Sequence, residues 1–372
     1  MAPRVALMLP GGGARGAYQV GAVRALWELA GGQSNPFPVM VGASAGAINA
    51  GVLASHAHEF GHGLQRLEHF WSQMACHHIY RTDWVSVLRS AGHWLGSMLL
   101  GRLGFPGPES LLDTEPLRQL LDRETRLDGI ARAIESGALD ALAVTASGYS
   151  SSRAVTFFQA ASGWPGWSRG RRLGRQGTIQ VDHLMASAAL PLLFPAIQVG
   201  NEFYGDGGLR QTAPLSPAIH LGADRILVVT TRDEHPDPEP QVQTERPSTG
   251  EIAGHMLDIV FMDNLQADLD RLQRVNHTVS LIDPARRHLS DLRAIDTLVI
   301  RPSRDVRHIA DEFMDRVPAS VKVLLAGMGA WRKGTRLPSY LLFESEYCQS
   351  LMELGYQDAM DQRAGVERMF SG

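Results

Sequence analysis

The sequence predicts a three-layer α/β/α sandwich built on a mainly parallel central sheet, with a helical C-terminal extension. Three observations carry that prediction. The first 60 residues alternate strand, helix, strand, helix, the order that a parallel sheet with crossover helices requires. The strands in that stretch are continuous apolar runs with no polar alternation, which puts helices over both of their faces. Each run also stops at glycine, where a tight turn hands the chain to a helix.

Residues 4–9 (Arg-Val-Ala-Leu-Met-Leu) form the first buried strand, ended by Pro10 and three glycines. Over 17–30, Val20, Val23, Leu26, Trp27 and Ala30 fall at helical spacing. The second strand, Pro38-Val39-Met40-Val41, stops at Gly42. Ala45 to Ser55 then reads as a helix of small residues that packs closely on a sheet. Further strands are predicted at 140–146, 154–159, 197–204 and 225–231, with a helix over 182–190 stopped before Pro191. Residues 233–250, dense in Pro, Glu, Asp and Thr, read as an exposed linker. Beyond it, Ile252, Met256, Ile259, Val260, Leu265, Leu269 and Leu272 mark an amphipathic helix over 251–275. A strand at 295–301 and helices at 305–330 and 340–370 complete the chain. The expected division is a main unit over 1–231, a linker over 232–250 and a mostly helical extension over 251–372 packed on the same domain.

Composition narrows the function classes. The 372 residues carry a net charge of −4, which gives no overall electrostatic case for nucleic acid. Lysine occurs only at 322 and 333, so nearly every basic side chain is arginine. That is a compositional bias unless the arginines gather in one place. Cys76 and Cys348, far apart and outside any Cys-x-x-Cys spacing, predict no disulfide framework and a reducing compartment. The N-terminal apolar run is too short for a signal-peptide core, and no later stretch is long enough to span a bilayer. The expectation is a cytoplasmic protein, with peripheral membrane contact left open.

Three motifs carry the chemistry. Gly42-Ala43-Ser44-Ala45-Gly46 places a serine on a sharp strand-to-helix turn, which exposes its hydroxyl and sets it at a helix N-terminus. Gly11-Gly12-Gly13-Ala14-Arg15-Gly16 frees several backbone N–H groups to point into one small space, suited to a phosphate or a tetrahedral oxyanion. Its spacing also matches Gly-x-Gly-x-x-Gly, but a dinucleotide site wants a carboxylate at the end of the next strand, and Gly42-Ala43-Ser44 stands there instead. Tyr204-Gly205-Asp206-Gly207-Gly208 follows an apolar stretch and reads either as a plain turn or as an Asp freed to reach another residue.

With these three in this order, and with Ala186-Ser187-Ala188-Ala189-Leu190-Pro191 and Phe194-Pro195 before the Asp, the sequence resembles the patatin-like phospholipases over roughly residues 4–231. The resemblance implies a Ser–Asp dyad. Asp206 would take the proton from Ser44, and the loop Gly11, Gly12, Gly13, Ala14 and Arg15 would form the oxyanion hole, with Arg15 ordering the loop or meeting a phosphate. It further implies a lipid acyl hydrolase of phospholipase A or lysophospholipase type, acting on a lipid or other acyl ester through an acyl-serine, with no metal or organic cofactor.

Other readings compete. His220, His235, His255 and His277 follow Asp206 in the order an α/β-hydrolase triad needs, although Ser44 comes early for that fold. His58-Glu59-Phe60-Gly61-His62 matches the zinc motif His-Glu-x-x-His, with glycine weakening the helix it requires. A silent acyl-binding or scaffold protein would keep the fold without turnover. Residues 84–105, from Trp84 to Phe105, are apolar with few charges and read as a core insert or as an interfacial lid.

Overall fold

Apolar runs buried on both faces assemble into the centre of one sheet. The computed structural model describes residues 3–89, 92–93, 110–232, 246–259, 264–327, 329–331, 334 and 336–371. Strands β1 (Val5–Leu9), β2 (Val39–Ala43) and β3 (Ala141–Gly148) are buried at every position. They run parallel to one another, with β9 (Arg225–Val229) and β10 (Asp296–Ile300) continuing the parallel array beyond β1. β4 (Ala154–Ala160) pairs antiparallel with β3, and β6 (Arg172–Gln176) and β5 (Trp167–Arg169) carry the sheet to its far edge. The order is β10-β9-β1-β2-β3-β4-β6-β5, with the hairpin β7 (Ile197–Val199) and β8 (Glu202–Gly205) attached through β8 to the end of β3.

Alternation along each strand divides the core into two layers. Leu7, Leu9, Met40, Leu142, Val144 and Leu227 face one cluster, and Ala6, Met8, Val39, Val41, Ala143 and Val228 face the other. The thicker layer holds α1 (Ala17–Leu29), α2 (Ala45–Ser55), α3 (Phe60–Ser72), α4 (Val181–Ser187), α6 (Arg336–Leu341) and α7 (Ser345–Asp361). The thinner one is built on residues 215–223 and on α5 (Asn264–Leu281). The three-layer α/β/α architecture with a mainly parallel sheet is thus present. Helix α2 is buried along its whole length because alanine and glycine let it lie close to the strands.

The structure departs from the sequence reading at several points. Residues 197–204 are two strands, broken by Gly200-Asn201, where Gly200 has φ 61°. The helix expected over 182–190 ends at Ser187. The helix expected over 251–275 is Thr249–Asp258 followed by α5. Strands β5 and β6 have no signal in the sequence, because their arginine-rich segments show no apolar alternation. Of the expected linker, 233–245 lie outside the described residues, as do 90–91 and 94–105 of the apolar stretch. Among the described residues no helix is long and apolar enough to cross a membrane.

Candidate active site

The turn after β2 sets Ser44 at φ 54° and ψ −132°. A side chain is held in that region at a cost of about 1–3 kcal/mol, so its neighbours must impose it. They do so by proximity: a Cβ on Gly46 would collide with the carbonyl oxygen of Leu9, and one on Gly42 with that of Gly46. The Ser44 N–H donates to Ser187 Oγ at 2.9 Å, and Ser187 Oγ donates to the Thr145 carbonyl at 2.6 Å. The elbow is therefore pinned to β3 through α4.

The turn after β1 lies beside it. Gly13 has φ 54° and backs onto the Tyr340 carbonyl, so only glycine fits there. Arg15 N–H donates to Gly12 O at 3.1 Å and closes the turn, while among the described residues no backbone carbonyl accepts from the N–H groups of Gly12, Gly13 or Ala14. Gly11 is held through its carbonyl, which accepts from Thr231 Oγ1 at 3.2 Å. Arg15 is only 3% exposed. Its Nε and Nη2 donate to Ser339 Oγ at 3.1 and 2.7 Å, its Nη1 donates to the Tyr340 hydroxyl at 3.2 Å, and its guanidinium lies 3.9 Å from the centre of the Tyr340 ring. The side chain orders the loop against α6.

Strand lengths deliver Asp206. Pairing with β2 ends at Ala43↔Thr145, but β3 continues to Gly148. Strand β8 takes the vacated edge, with Ser147 opposite Gly205 and Gly148 opposite Tyr204. The residue after β8 then sits over the end of β2, where the elbow begins. Asp206 N–H donates to Ala189 O at 2.8 Å, and Asp206 Oδ1 accepts from Gly208 N–H at 2.8 Å. Oδ2 is buried without a formed hydrogen bond. Burial pushes the carboxyl pKa up to about 7, against the opposing pull of the Ser44 hydroxyl beside it and the Gly208 N–H.

An apolar cleft opens from Ser44 between Ile48, Trp71, Met74, Leu190, Phe194 and Phe343. It is tight, about 30 Å³, an order below the roughly 300–1,000 Å³ of a typical ligand pocket. Phe343 stacks on Trp71 with ring centres 6.3 Å apart and planes at 23°.

Three buried polar residues that the sequence reading passed over tie this cleft to the glycine turn. Trp71 Nε1 donates to Asn49 Oδ1 at 2.8 Å. Asn49 Nδ2 donates to Gly16 O and to Gln19 Oε1, both at 3.0 Å. Gln19 Nε2 donates to Pro10 O at 2.8 Å and to Val229 O at 3.2 Å. Pro10 and Gly16 bracket the loop. The one available sequence signal was an Asn and a Gln in otherwise apolar helices, positions that fold inward only when every polar atom finds a partner.

The remaining sequence candidates lie elsewhere. His58 and Glu59 fall in a short 3-10 turn, whereas His62 falls in α3, so the zinc motif is split between two elements. Among the described residues no three His, Cys, Asp or Glu side chains are grouped to hold a metal. His220 is stacked on Trp167 in the thinner layer, at 4.7 Å. His255 meets Arg336 Nη1 through Nδ1 at 3.1 Å, and His235 lies outside the described residues.

Among solved structures, the chain is similar to VipD from Legionella pneumophila (13% identity, TM-score 0.36, 95% of this chain and 67% of that one). It is also similar to the type III effector protein ExoU (17%, 0.40, 99% and 54%) and to human GIVD cytosolic phospholipase A2 (15%, 0.46, 99% and 59%). The chain thus spans between about half and two thirds of those proteins. No curated protein sequence matches it. The profile of the patatin-like phospholipases matches residues 7–219, more than half of the chain, and takes in both turns and Asp206. The chain belongs to the patatin-like phospholipase family.

Proposed function

We propose that the chain hydrolyses carboxylic esters of lipids through an acyl-serine at Ser44, with Asp206 as the base and the glycine turn as the oxyanion hole. Ser44 Oγ attacks the acyl carbonyl as its proton passes to Asp206 Oδ2, and the carbonyl electron pair moves onto oxygen. The N–H groups of Gly12, Gly13 and Ala14 stabilise that oxyanion without reorganising. Collapse expels the alcohol, which takes the proton from Asp206. Water then attacks the acyl-serine with Asp206 again as base, releasing the acid and restoring Ser44. The acyl chain lies along Trp71 and Phe343, which have to part to admit it. No metal or organic cofactor is needed for any of these steps.

The observation that carries this reading is a strained Ser44 whose hydroxyl lies beside a buried carboxyl, with Oδ2 of that carboxyl making no formed hydrogen bond. A carboxylate that is costly to bury and short of a hydrogen bond is a stronger base than an exposed one.

Labelling with a fluorophosphonate tests it. Wild type should label, and Ser44→Ala and Asp206→Asn should not. The rate on a soluble short-chain ester should rise with pH through about 7 as Asp206 loses its proton. Undiminished labelling of Ser44→Ala would falsify the assignment. A pH limb that disappears on mutating one histidine would move the base elsewhere.

A further inference from the structure

The register of the outer strands brings arginines to the edge of the sheet that holds Ser44. Ser147 pairs with Ala154 across the β3–β4 turn, Ala154 pairs with Arg172, and Arg172 pairs with Arg169 across the β5–β6 turn. Both turns are therefore level with the end of β3, beside β8 and Asp206. Arg153 lies in the first turn, Arg171 lies in the second between Arg169 at the end of β5 and Arg172 at the start of β6, and Arg210 follows Asp206 by four residues. Backbone contacts fix them: Gly148 N–H donates to Arg153 O and Ala154 N–H to Arg171 O, both at 2.9 Å, and Arg210 N–H donates to Ser147 Oγ at 3.1 Å.

Their side chains are uncommitted. Arg153, Arg169, Arg171 and Arg210 are exposed, and among the described residues none of the five guanidinium groups forms an ion pair. Elsewhere on the molecule Arg24, Arg81, Arg118 and Arg293 all have carboxylate partners. Glu202, the carboxylate beside the first turn, accepts from Ser150 Oγ at 3.0 Å and from Ser151 N–H at 2.6 Å. Asp268 attracts Arg172 from the thinner layer but pairs with Arg271 at 3.0 Å. With strands about 4.8 Å apart, β3 to β5 spans roughly 14 Å, so the two turns, on adjacent strands, lie within a Debye length of about 8 Å, and the whole row is short enough to face one charged surface.

Apolar side chains share the edge. Tyr149 and Phe203, joined by a 3.0 Å backbone hydrogen bond, are 51% and 53% exposed. Leu192, held at φ 67° between the cleft residues Leu190 and Phe194, is 63% exposed. A free phosphate or a polynucleotide satisfies arginines but not Leu192. A lipid surface of negative charge satisfies both.

We propose that this edge docks on anionic phospholipid and so sets the Ser44 cleft against the surface that supplies its substrate. The proposal deepens the lipid-hydrolase reading and rests on it for the substrate's route, while the docking itself needs no turnover. The test therefore uses the full chain as Ser44→Ala, floated with vesicles of phosphatidylcholine alone or mixed with phosphatidylglycerol. Binding should require phosphatidylglycerol and weaken as salt rises. Adding Arg153→Gln, Arg169→Gln and Arg171→Gln should cut the partition coefficient roughly 100-fold. With Ser44 restored, the same three substitutions should leave fluorophosphonate labelling and hydrolysis of a soluble short-chain ester unchanged, with an unaltered melting temperature. Equal binding to neutral vesicles, or full binding by the triple variant, overturns the proposal. So does binding of a single-stranded oligonucleotide without binding of vesicles. Failure of labelling in wild type would instead strike the catalytic reading and leave the docking result standing.

Discussion

The turns after β1 and β2 stand side by side at one edge of the sheet, yet different stretches of chain hold them. The elbow at Ser44 closes on its immediate surroundings: Gly46 lies against Leu9, and Ser187 bonds both the Ser44 N–H and the β3 carbonyl. The glycine turn is closed from far along the chain. Tyr340 backs Gly13, Ser339 and Tyr340 hold Arg15, and Thr231 holds the Gly11 carbonyl. The elbow and its clamps fall within the family match, 7–219, and these clamps on the glycine turn fall outside it. The shape of the nucleophile's turn is thus set within the matched segment, whereas the proposed oxyanion loop depends on residues the chain adds later.

The largest effect on that contrast comes from crowding the elbow. Gly46→Ala would press a methyl group into the Leu9 carbonyl, and backbone on both sides leaves nowhere for it to go. We expect a loss of about 3 kcal/mol or more of unfolding free energy, or failure to fold. A soluble variant with wild-type denaturant midpoint would show that the elbow is looser than its geometry implies.

Next in size is Asp206→Asn, which separates the cost of the site from the stability of the turn. The folded carboxyl is raised to about 7 from an ordinary 3.8, so the folded state keeps a proton that the unfolded chain gives up. Wild type therefore loses stability as pH rises from about 4 to 7, and the loss persists above that range. The Asn variant does not titrate there. Its unfolding free energy should exceed that of wild type by roughly 3–4 kcal/mol at pH 8 and by little at pH 4. A variant less stable than wild type at pH 8 would mean that the charged carboxylate has partners beyond Ser44 and Gly208.

Ser339→Ala probes the remote clamp. It removes the acceptor of two bonds from a buried guanidinium that also meets the Tyr340 hydroxyl and ring. Hydrogen bonds to charged groups contribute about 1.5–3 kcal/mol, and a loss of that size is expected together with a fall in kcat near tenfold and little change in KM. A rise in KM at constant kcat would instead make α6 part of the substrate wall.

These contrasts also explain what could be read in the sequence. The strands and helices up to Ser55 were legible because continuous apolar runs and small residues leave one way to pack. Ser44, the glycine turn and Asp206 could be named together as a candidate set because the order of three motifs is far more specific than any one of them. The rest depends on contacts that sequence patterns do not encode. Arg15 meets Ser339 across 324 positions, and Asp206 reaches the elbow only because β3 outlasts β2. The arginine bias looked compositional until the β5–β6 register, itself invisible in a polar stretch, brought three of its members beside Arg153 and Arg210.

The smallest effect tests whether the two turns are coupled. Trp71→Phe keeps an aromatic wall for the cleft and its stacking with Phe343, but removes the indole N–H that Asn49 Oδ1 accepts. Asn49 still donates to Gly16 and Gln19, so the loop loses one neutral hydrogen bond, a matter of about 1 kcal/mol. If the network only fills space, that stability loss is all that follows. If it carries the state of the cleft to both ends of the glycine turn, kcat falls severalfold on long-chain esters, which press on Trp71, and hardly at all on acetyl esters, which do not reach it. Asn49→Asp gives the complementary reading, because the groups that bond Asn49 among the described residues, Gly16, Gln19 and Trp71, carry no positive charge. It should cost more stability than Trp71→Phe.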